Sequence, residues 1–197
     1  MRTIYLLLLL LLFSAVSNAQ KPSEKIGAYY RFAVENNLFR SDELIGGPGY
    51  GGNGSFAIGI GYEKKLTGAL YFVTGLEYSR NDIRVSPAPN PEIDWYECEA
   101  DIHLLSIPLY GKLVFLRYFY LQAGPLIDFQ LNKSDQSIDD QTGIGAGFGL
   151  GASLPVKKLE IRFGPFCKSH TLIPFNRERH QQHLWESGFT FGLNYCF

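Results

Sequence analysis

Methionine is nearly absent from the 197-residue sequence, which holds one, and cysteine is scarce, with three. Three Cys cannot all pair with one another, and no Cys-x-x-Cys occurs, so neither a disulfide scaffold nor a zinc ribbon is encoded. No charge of one sign dominates either: 18 Lys and Arg stand against 19 Asp and Glu, a formal net charge of −1. That balance argues against a nucleic-acid binder, which usually shows a strongly basic face. Beyond the first twenty residues no stretch approaches the ~18 consecutive apolar residues of a transmembrane helix. What is plentiful is aromatic side chains, 15% of the chain, and glycine, with 21. Such a composition suits an all-β chain better than a helical bundle, and the length fits one domain.

The N-terminus reads as an address. Arg2 supplies a short positive region, residues 4–13 are uninterruptedly apolar, and Ser17-Asn18-Ala19 puts small residues at a cleavage site before Gln20. This pattern predicts a secretory signal peptide over 1–19, cleaved after Ala19, and a single domain over 20–197. An uncleaved anchor would need about 20 apolar residues, more than the run contains. Cleavage removes Arg2 and no acid, leaving 17 bases against 19 acids, or −2.

Period two recurs through the rest of the chain. Phe189, Phe191, Leu193, Tyr195 and Phe197 alternate with Thr190, Gly192, Asn194 and Cys196. Strict alternation marks a strand with one apolar face and one polar or small face. The same reading predicts strands over 25–36, 55–64, 69–80, 103–115, 118–131, 143–154 and 159–168, making eight. In the sixth, Ile144, Ala146, Phe148 and Leu150 oppose Gly145, Gly147, Gly149 and Gly151.

The connections sharpen this. Short ones (65–68, 116–117, 155–158) alternate with long ones (37–54, 81–102, 132–142, 169–183). Long antiparallel strands with turns at one end and loops at the other are the signature of an all-β, eight-stranded antiparallel up-and-down transmembrane β-barrel. A soluble barrel of lipocalin type would place its apolar side chains inside. Eight strands leave an interior only just wide enough for side chains, and the bulky face here would overcrowd it. Placing that face outward lets the glycine row make room for Tyr29, Tyr71, Tyr110 and Tyr120. The expectation is a protein of the cell outer membrane, with outer-membrane lipid as partner, both termini and the short turns periplasmic, and the long loops extracellular.

Parity then places Arg31, Glu35, Glu63, Glu77, Lys112, Asp128, Glu160, Arg162, Lys168 and Glu186 inward. Charges of mixed sign in a confined space should pair, giving a polar plug with no open pore. A proton or small-ion path and a ligand site are the sharper alternatives. Leu193, Tyr195 and Phe197 look like the C-terminal signal that the barrel-assembly machinery selects. Small barrels that modify lipid A use a Ser and a His at the rim, and Ser169-His170 or His103 with Ser106 could be such a pair. Neighbours on a strand face opposite ways, however, so no catalytic residue is assigned. His180, His183 and His170 could offer metal ligands, but no carboxylate or Cys completes a spacing, and neither metal nor cofactor is assigned. Trp95 and Tyr96 with Asp94, Glu97 and Glu99 form an aromatic-acidic tip suited to a partner or to the headgroup level. Cys98 and Cys167 could bridge, and Cys196 lies at the opposite end.

Leu105-Ser106-Ile107-Pro108-Leu109, a tight turn, and Tyr120-Leu121-Gln122-Ala123-Gly124-Pro125 resemble the Bacteroidota outer-membrane β-barrel family called PorT-like. Asp139-Asp140, the glycine-rich stretch 143–151 and Gly164-Pro165 extend the resemblance along the mature chain. It implies a Gram-negative outer-membrane barrel without catalytic residues. It also raises a place as an accessory component of a type IX secretion or envelope-assembly system, with an envelope or secretion partner.

Overall fold

A computed structural model describes residues 23–40, 49–86, 98–132, 138–176 and 181–197. The predicted signal peptide, the 94–97 tip and His180 lie outside these residues. Eight strands follow one another: β1 (Glu24–Arg40), β2 (Gly49–Thr67), β3 (Leu70–Ser86), β4 (Cys98–Phe115), β5 (Phe119–Gln130), β6 (Gly143–Val156), β7 (Leu159–Pro174) and β8 (Gln182–Cys196). Each pairs antiparallel with its sequence neighbour, and β1 pairs with β8, so the sheet closes into an up-and-down barrel. Closure leaves no unpaired sheet edge. The end of β8 is held on both sides, Cys196 N–H donating to Lys158 O beside β7 at 2.8 Å and Phe197 N–H to Glu24 O on β1 at 3.0 Å.

The alternation read in the sequence is the wall of this barrel. Ile58, Ile60, Leu76, Leu113, Phe148, Leu150, Ile161, Phe163, Phe191 and Leu193 all stand exposed on the outside. Tyr29, Tyr71, Tyr110 and Tyr120 are buried inside. The glycine row explains how rings of this size fit. A Cβ on Gly147 would lie 2.1 Å from the Tyr110 hydroxyl, and one on Gly151 would lie 2.6 Å from that of Tyr120. On β2, Gly59 does the same for Tyr29.

Two expectations are corrected. The strands run further than the alternation showed: β2 starts at Gly49 rather than 55, β3 continues to Ser86, β4 starts at Cys98, β7 continues to Pro174 and β8 starts at Gln182. The connections at that end are correspondingly shorter than predicted. Strands of 17–19 residues, as in β1 to β4, are about 55 Å long at ~3.3 Å per residue. Even tilted, they outreach the ~25 Å apolar band of an outer-membrane barrel. The second correction is Glu35, which is exposed rather than inward. A bulge between Ala33 and Glu35 in the β1–β8 register adds one residue and reverses the parity after it. Asn36 and Leu38 take the inward places instead.

Candidate functional site: the filled interior

Two ionic layers and an apolar cap fill the barrel. The layer nearest the short turns centres on Glu63, which β2 points inward. Lys112 Nζ donates to both Glu63 oxygens at 3.0 and 2.9 Å, and Arg162 Nη1 donates to Oε1 at 2.5 Å. Lys25 Nζ donates to Glu160 Oε2 at 2.6 Å and stands 3.8 Å from Glu63. Asn194 Nδ2 donates to both carboxylates at 3.3 Å. The cations also lie over aromatic faces, Lys25 4.9 Å from the Tyr71 centroid and Lys112 4.7 Å from that of Tyr120. Cation–π contact of this kind strengthens once water is excluded. Three cations and two carboxylates leave this layer at +1.

The second layer lies further from the turns. Glu77 on β3 accepts from Arg31 and from Lys168. Lys168 also reaches Glu186 Oε2 at 3.4 Å, as does His170 Nε2. His170 Nδ1 meets Asp128 Oδ2 at 2.8 Å, and Ser106 Oγ donates to Asp128 Oδ1 at 2.5 Å. Arg31 Nε donates to Thr190 Oγ1 at 3.1 Å, and Ser55 Oγ to Glu186 Oε1 at 3.2 Å. Setting His170 aside, two cations and three carboxylates give −1, and an imidazolium at His170, which faces Asp128 and Glu186, brings this layer to neutral. Between them is a cavity of about 20 Å³ bounded by Tyr29, Tyr110, Gln122 and Arg162 among others. That is room for about one water, and Tyr29 Oη, Gln122 Oε1 and Arg162 Nε lack a protein partner.

Of the ten charges that parity placed inward, nine (Arg31, Glu63, Glu77, Lys112, Asp128, Glu160, Arg162, Lys168 and Glu186) are buried here, and Glu35 is the exception. They fall into two layers, each held by its own ion pairs. Lys25 and His170 are the members that sequence reasoning missed. Lys25 shares the odd-numbered parity of Tyr29 and Arg31, which was signal enough. His170 lay beyond the predicted end of its strand, and only the extra length of β7 gives it an inward parity.

Beyond the charges the filling becomes apolar. Leu38, Ile83, Val85, Ala100, Ile102, Leu104 and Leu184 form one buried cluster, and Ile138 from the β5–β6 connection packs into it. Gln141 beside Ile138 ties that connection down, its Nε2 donating to Gln182 O at 3.0 Å while Oε1 accepts from Leu184 N–H at 3.1 Å. An interior predicted to be polar throughout is therefore closed at its far end by an oily cap.

The rim pairs do not assemble into a nucleophile and base. Ser106 points into the lumen and His103 outward, where its Nδ1 meets Tyr78 Oη at 3.0 Å and its Nε2 meets Asp101 at 2.6 Å. Ser169 and His170 likewise face opposite sides of β7. Asp128 stands between Ser106 and His170, so the imidazole cannot take the hydroxyl proton directly. His183 is on β8 with its Nδ1 against Thr171 O at 2.8 Å, on the opposite face of the wall from His170. Among the described residues no group of three His, Cys, Asp or Glu is placed to hold a metal. Cys167 and Cys196 are free thiols, so the possible Cys98–Cys167 bridge is not formed. Leu193, Tyr195 and Phe197 all face outward at the turn end, with the last two rings edge to face at 5.2 Å.

A scan against protein-family models finds no match, and a search of curated proteins finds none either. Among solved structures the barrel is similar to the outer membrane protein OprG of Pseudomonas aeruginosa, at 10% identity over 87% of this chain and 96% of that one, with a TM-score of 0.48. It is also similar to Ail, the attachment invasion locus protein of Yersinia pestis, solved with the heparin analogue sucrose octasulfate, at 13% identity over 86% and 99% of the chains and a TM-score of 0.42. The translocator domain of the autotransporter NalP of Neisseria meningitidis matches at 9% identity over 100% and 96%, with a TM-score of 0.35.

Proposed function

We propose that this chain is an integral outer-membrane β-barrel of structural or interaction type, with a plugged lumen and no open pore. One observation carries the reading: every strand turns an apolar face outward while buried ion pairs and tyrosines fill the inside. In water that arrangement would expose a continuous apolar belt around the molecule, far beyond the few hundred Å² a soluble monomer shows. In hydrocarbon it is favourable, because the closed ladder satisfies the wall's backbone groups internally. The three short turns and the C-terminus lie at one end, and that end is read as periplasmic.

The PorT-like resemblance fits the same picture. Ile107-Pro108-Leu109 and Gly124-Pro125 lie side by side on β4 and β5, with Pro108 opposite Leu126 where the pairing is interrupted. A proline belongs at such an interruption, having no N–H to give the ladder. The resemblance supports a second reading, an accessory component of a type IX secretion or envelope-assembly system. The two readings differ in whether the loop end meets the outside or a partner.

Host fractionation with protease treatment of intact cells, followed by crosslinking and identification of what is captured, tests both. Recovery in the outer-membrane fraction, cleavage at 87–97 or 177–180 and no stable partner support the free-standing barrel. Protected loops with a reproducible partner support the machine component. A protein soluble without detergent and lacking a heat-modifiable gel shift sinks the membrane reading.

A further inference from the structure

The charges outside the lumen divide unevenly between the two ends. At the turn end stand Lys64 and Lys65 on β2, Arg117 between β4 and β5, and Lys157 and Lys158 between β6 and β7, all reaching solvent. The one acidic side chain described at that end is Glu24, which is engaged by the Tyr62 hydroxyl. None of the five cations forms an ion pair with a described residue. The loop end has the opposite balance: Glu35, Asp82, Glu99, Asp101, Asp139 and Asp140 against Arg80 and Arg84, with Arg80 paired to Asp82 at 3.0 Å.

Self-contained turns do not need this charge. The backbone is left-handed at Leu116, Arg117 and Lys157, and Gly or Asn would suit those places better. The lumen does not need it either, since the inward charges pair among themselves. What surrounds the cations points to a bilayer surface. Tyr118, Tyr195 and Phe197 stand exposed beside them, the amphipathic belt that collects where hydrocarbon gives way to headgroups. The Arg117 guanidinium lies 5.8 Å from the Tyr118 ring centroid. A ring of cations at that depth, none ion-paired with a described residue, matches the charge of lipid phosphates. We propose that the turn end of the barrel is a docking ring for anionic phospholipid headgroups, with Lys64, Lys65, Arg117, Lys157 and Lys158 as the contacts. This rests on the membrane reading above and names the lipid class at one of its two surfaces.

The test refolds the full chain in detergent with equal amounts of phosphatidylglycerol and phosphatidylethanolamine and weighs the retained lipid by native mass spectrometry. Each cation near an anionic surface contributes roughly fivefold in binding, so the anionic lipid should be retained at least about fivefold over the zwitterionic one. Changing all five to Gln should bring the ratio to parity while the heat-modifiable shift persists. The milder pair Lys157→Gln with Lys158→Gln should lower the ratio partway, and Arg80→Gln with Arg84→Gln should leave it unchanged. Raising salt to 0.5 M, which shrinks the Debye length to about 4 Å, should also erode it. Parity in the unmodified protein, or a preference that survives the five-fold change, overturns the docking ring. So does lipid parity accompanied by salt-sensitive binding of an acidic protein. A chain that shows no folded, heat-modifiable form in any lipid overturns the membrane reading itself, and the ring with it.

Discussion

The two halves of this barrel obey opposite rules on one continuous wall. Toward the turns, Ile58, Ile60, Leu113, Ile161 and Leu193 face out while Lys25, Glu63, Lys112, Glu160 and Arg162 face in. Toward the loops, Arg80, Arg84, Glu99 and Asp101 face out while Ile83, Val85, Ile102 and Leu104 face in. On β3 and β4 the change happens within single strands, without any break in period two. Val73, Glu77, Ser79, Asn81, Ile83 and Val85 descend one inner face, and the polar group passes from inside to outside along the way. The teaching is that a strand pattern says which residues share a face, while the solvent decides which face is apolar. On the proposed membrane reading hydrocarbon surrounds the turn half, and there polar groups can go inside only as satisfied pairs. Where water surrounds the wall, an oily interior is the stable filling.

The comparison is broken most severely by removing the hub of the inner ionic layer. Glu63→Ala strands Lys112, Arg162 and Lys25 around a single remaining carboxylate, Glu160. Breaking a buried pair by deleting one partner costs about 3–5 kcal/mol, and here three cations share the partner. The expected result is a large fall in the urea midpoint in lipid vesicles together with loss of the heat-modifiable band. A companion double change, Glu63→Gln with Lys112→Met, removes one charge of each sign and should recover part of the loss. If Glu63→Ala unfolds no more readily than the parent, the lumen is wet enough to solvate its charges and the plug is not a plug.

Next in size is the other filling. Leu104 is fully buried in the apolar cap, and Leu104→Ala should cost about 2–5 kcal/mol through lost burial and the cavity left behind. Hydrogen exchange should localise the loosening to the loop ends of β3, β4 and β8, leaving the turn end protected. A global, uniform loss of protection would mean the two halves fold as one unit rather than as two stacked cores.

Most of the wall was legible in the sequence, and most of the cap was not. Alternation identified all eight strands because each has a stretch whose outer face is bulky and apolar. It stopped short where the polarity of the two faces exchanged. In 81–86 the alternation continues with its polarity reversed, Ile83 and Val85 inside against Asp82 and Arg84 outside, and in 49–54 glycine erases the pattern, so these stretches read as loop. Glu35 was misplaced for a different reason. A bulge shifts parity by one residue, and nothing in Ala33-Val34-Glu35 announces it. His170 was read as a rim residue because the period was not followed past Lys168, although β7 continues to Pro174. The division of the lumen into two layers depends on strand stagger, which the register of β1 with β2 and β8 determines and composition does not express.

The smallest effect is the most discriminating, because it asks where the belt ends. Ile60→Arg places a cation on the outer face in the middle of the apolar region, where Ile60 is 61% exposed, and should cost about 2–4 kcal/mol in lipid. Asp101→Arg places the same group on the outer face at the loop end. It removes the Asp101 carboxylate from His103, a pair whose acid is half exposed and therefore worth about 0.5 kcal/mol or less. The Asn132 Nδ2 bond to the Asp101 backbone carbonyl, at 2.6 Å, does not depend on the side chain. The urea midpoint of Asp101→Arg should stay close to the parent's while that of Ile60→Arg falls. Equal losses would move the bilayer boundary up to Asp101 and place the oily cap inside the membrane. It would then have to hold its shape with hydrocarbon on the outside as well, and the exchange of faces would need a cause other than the solvent.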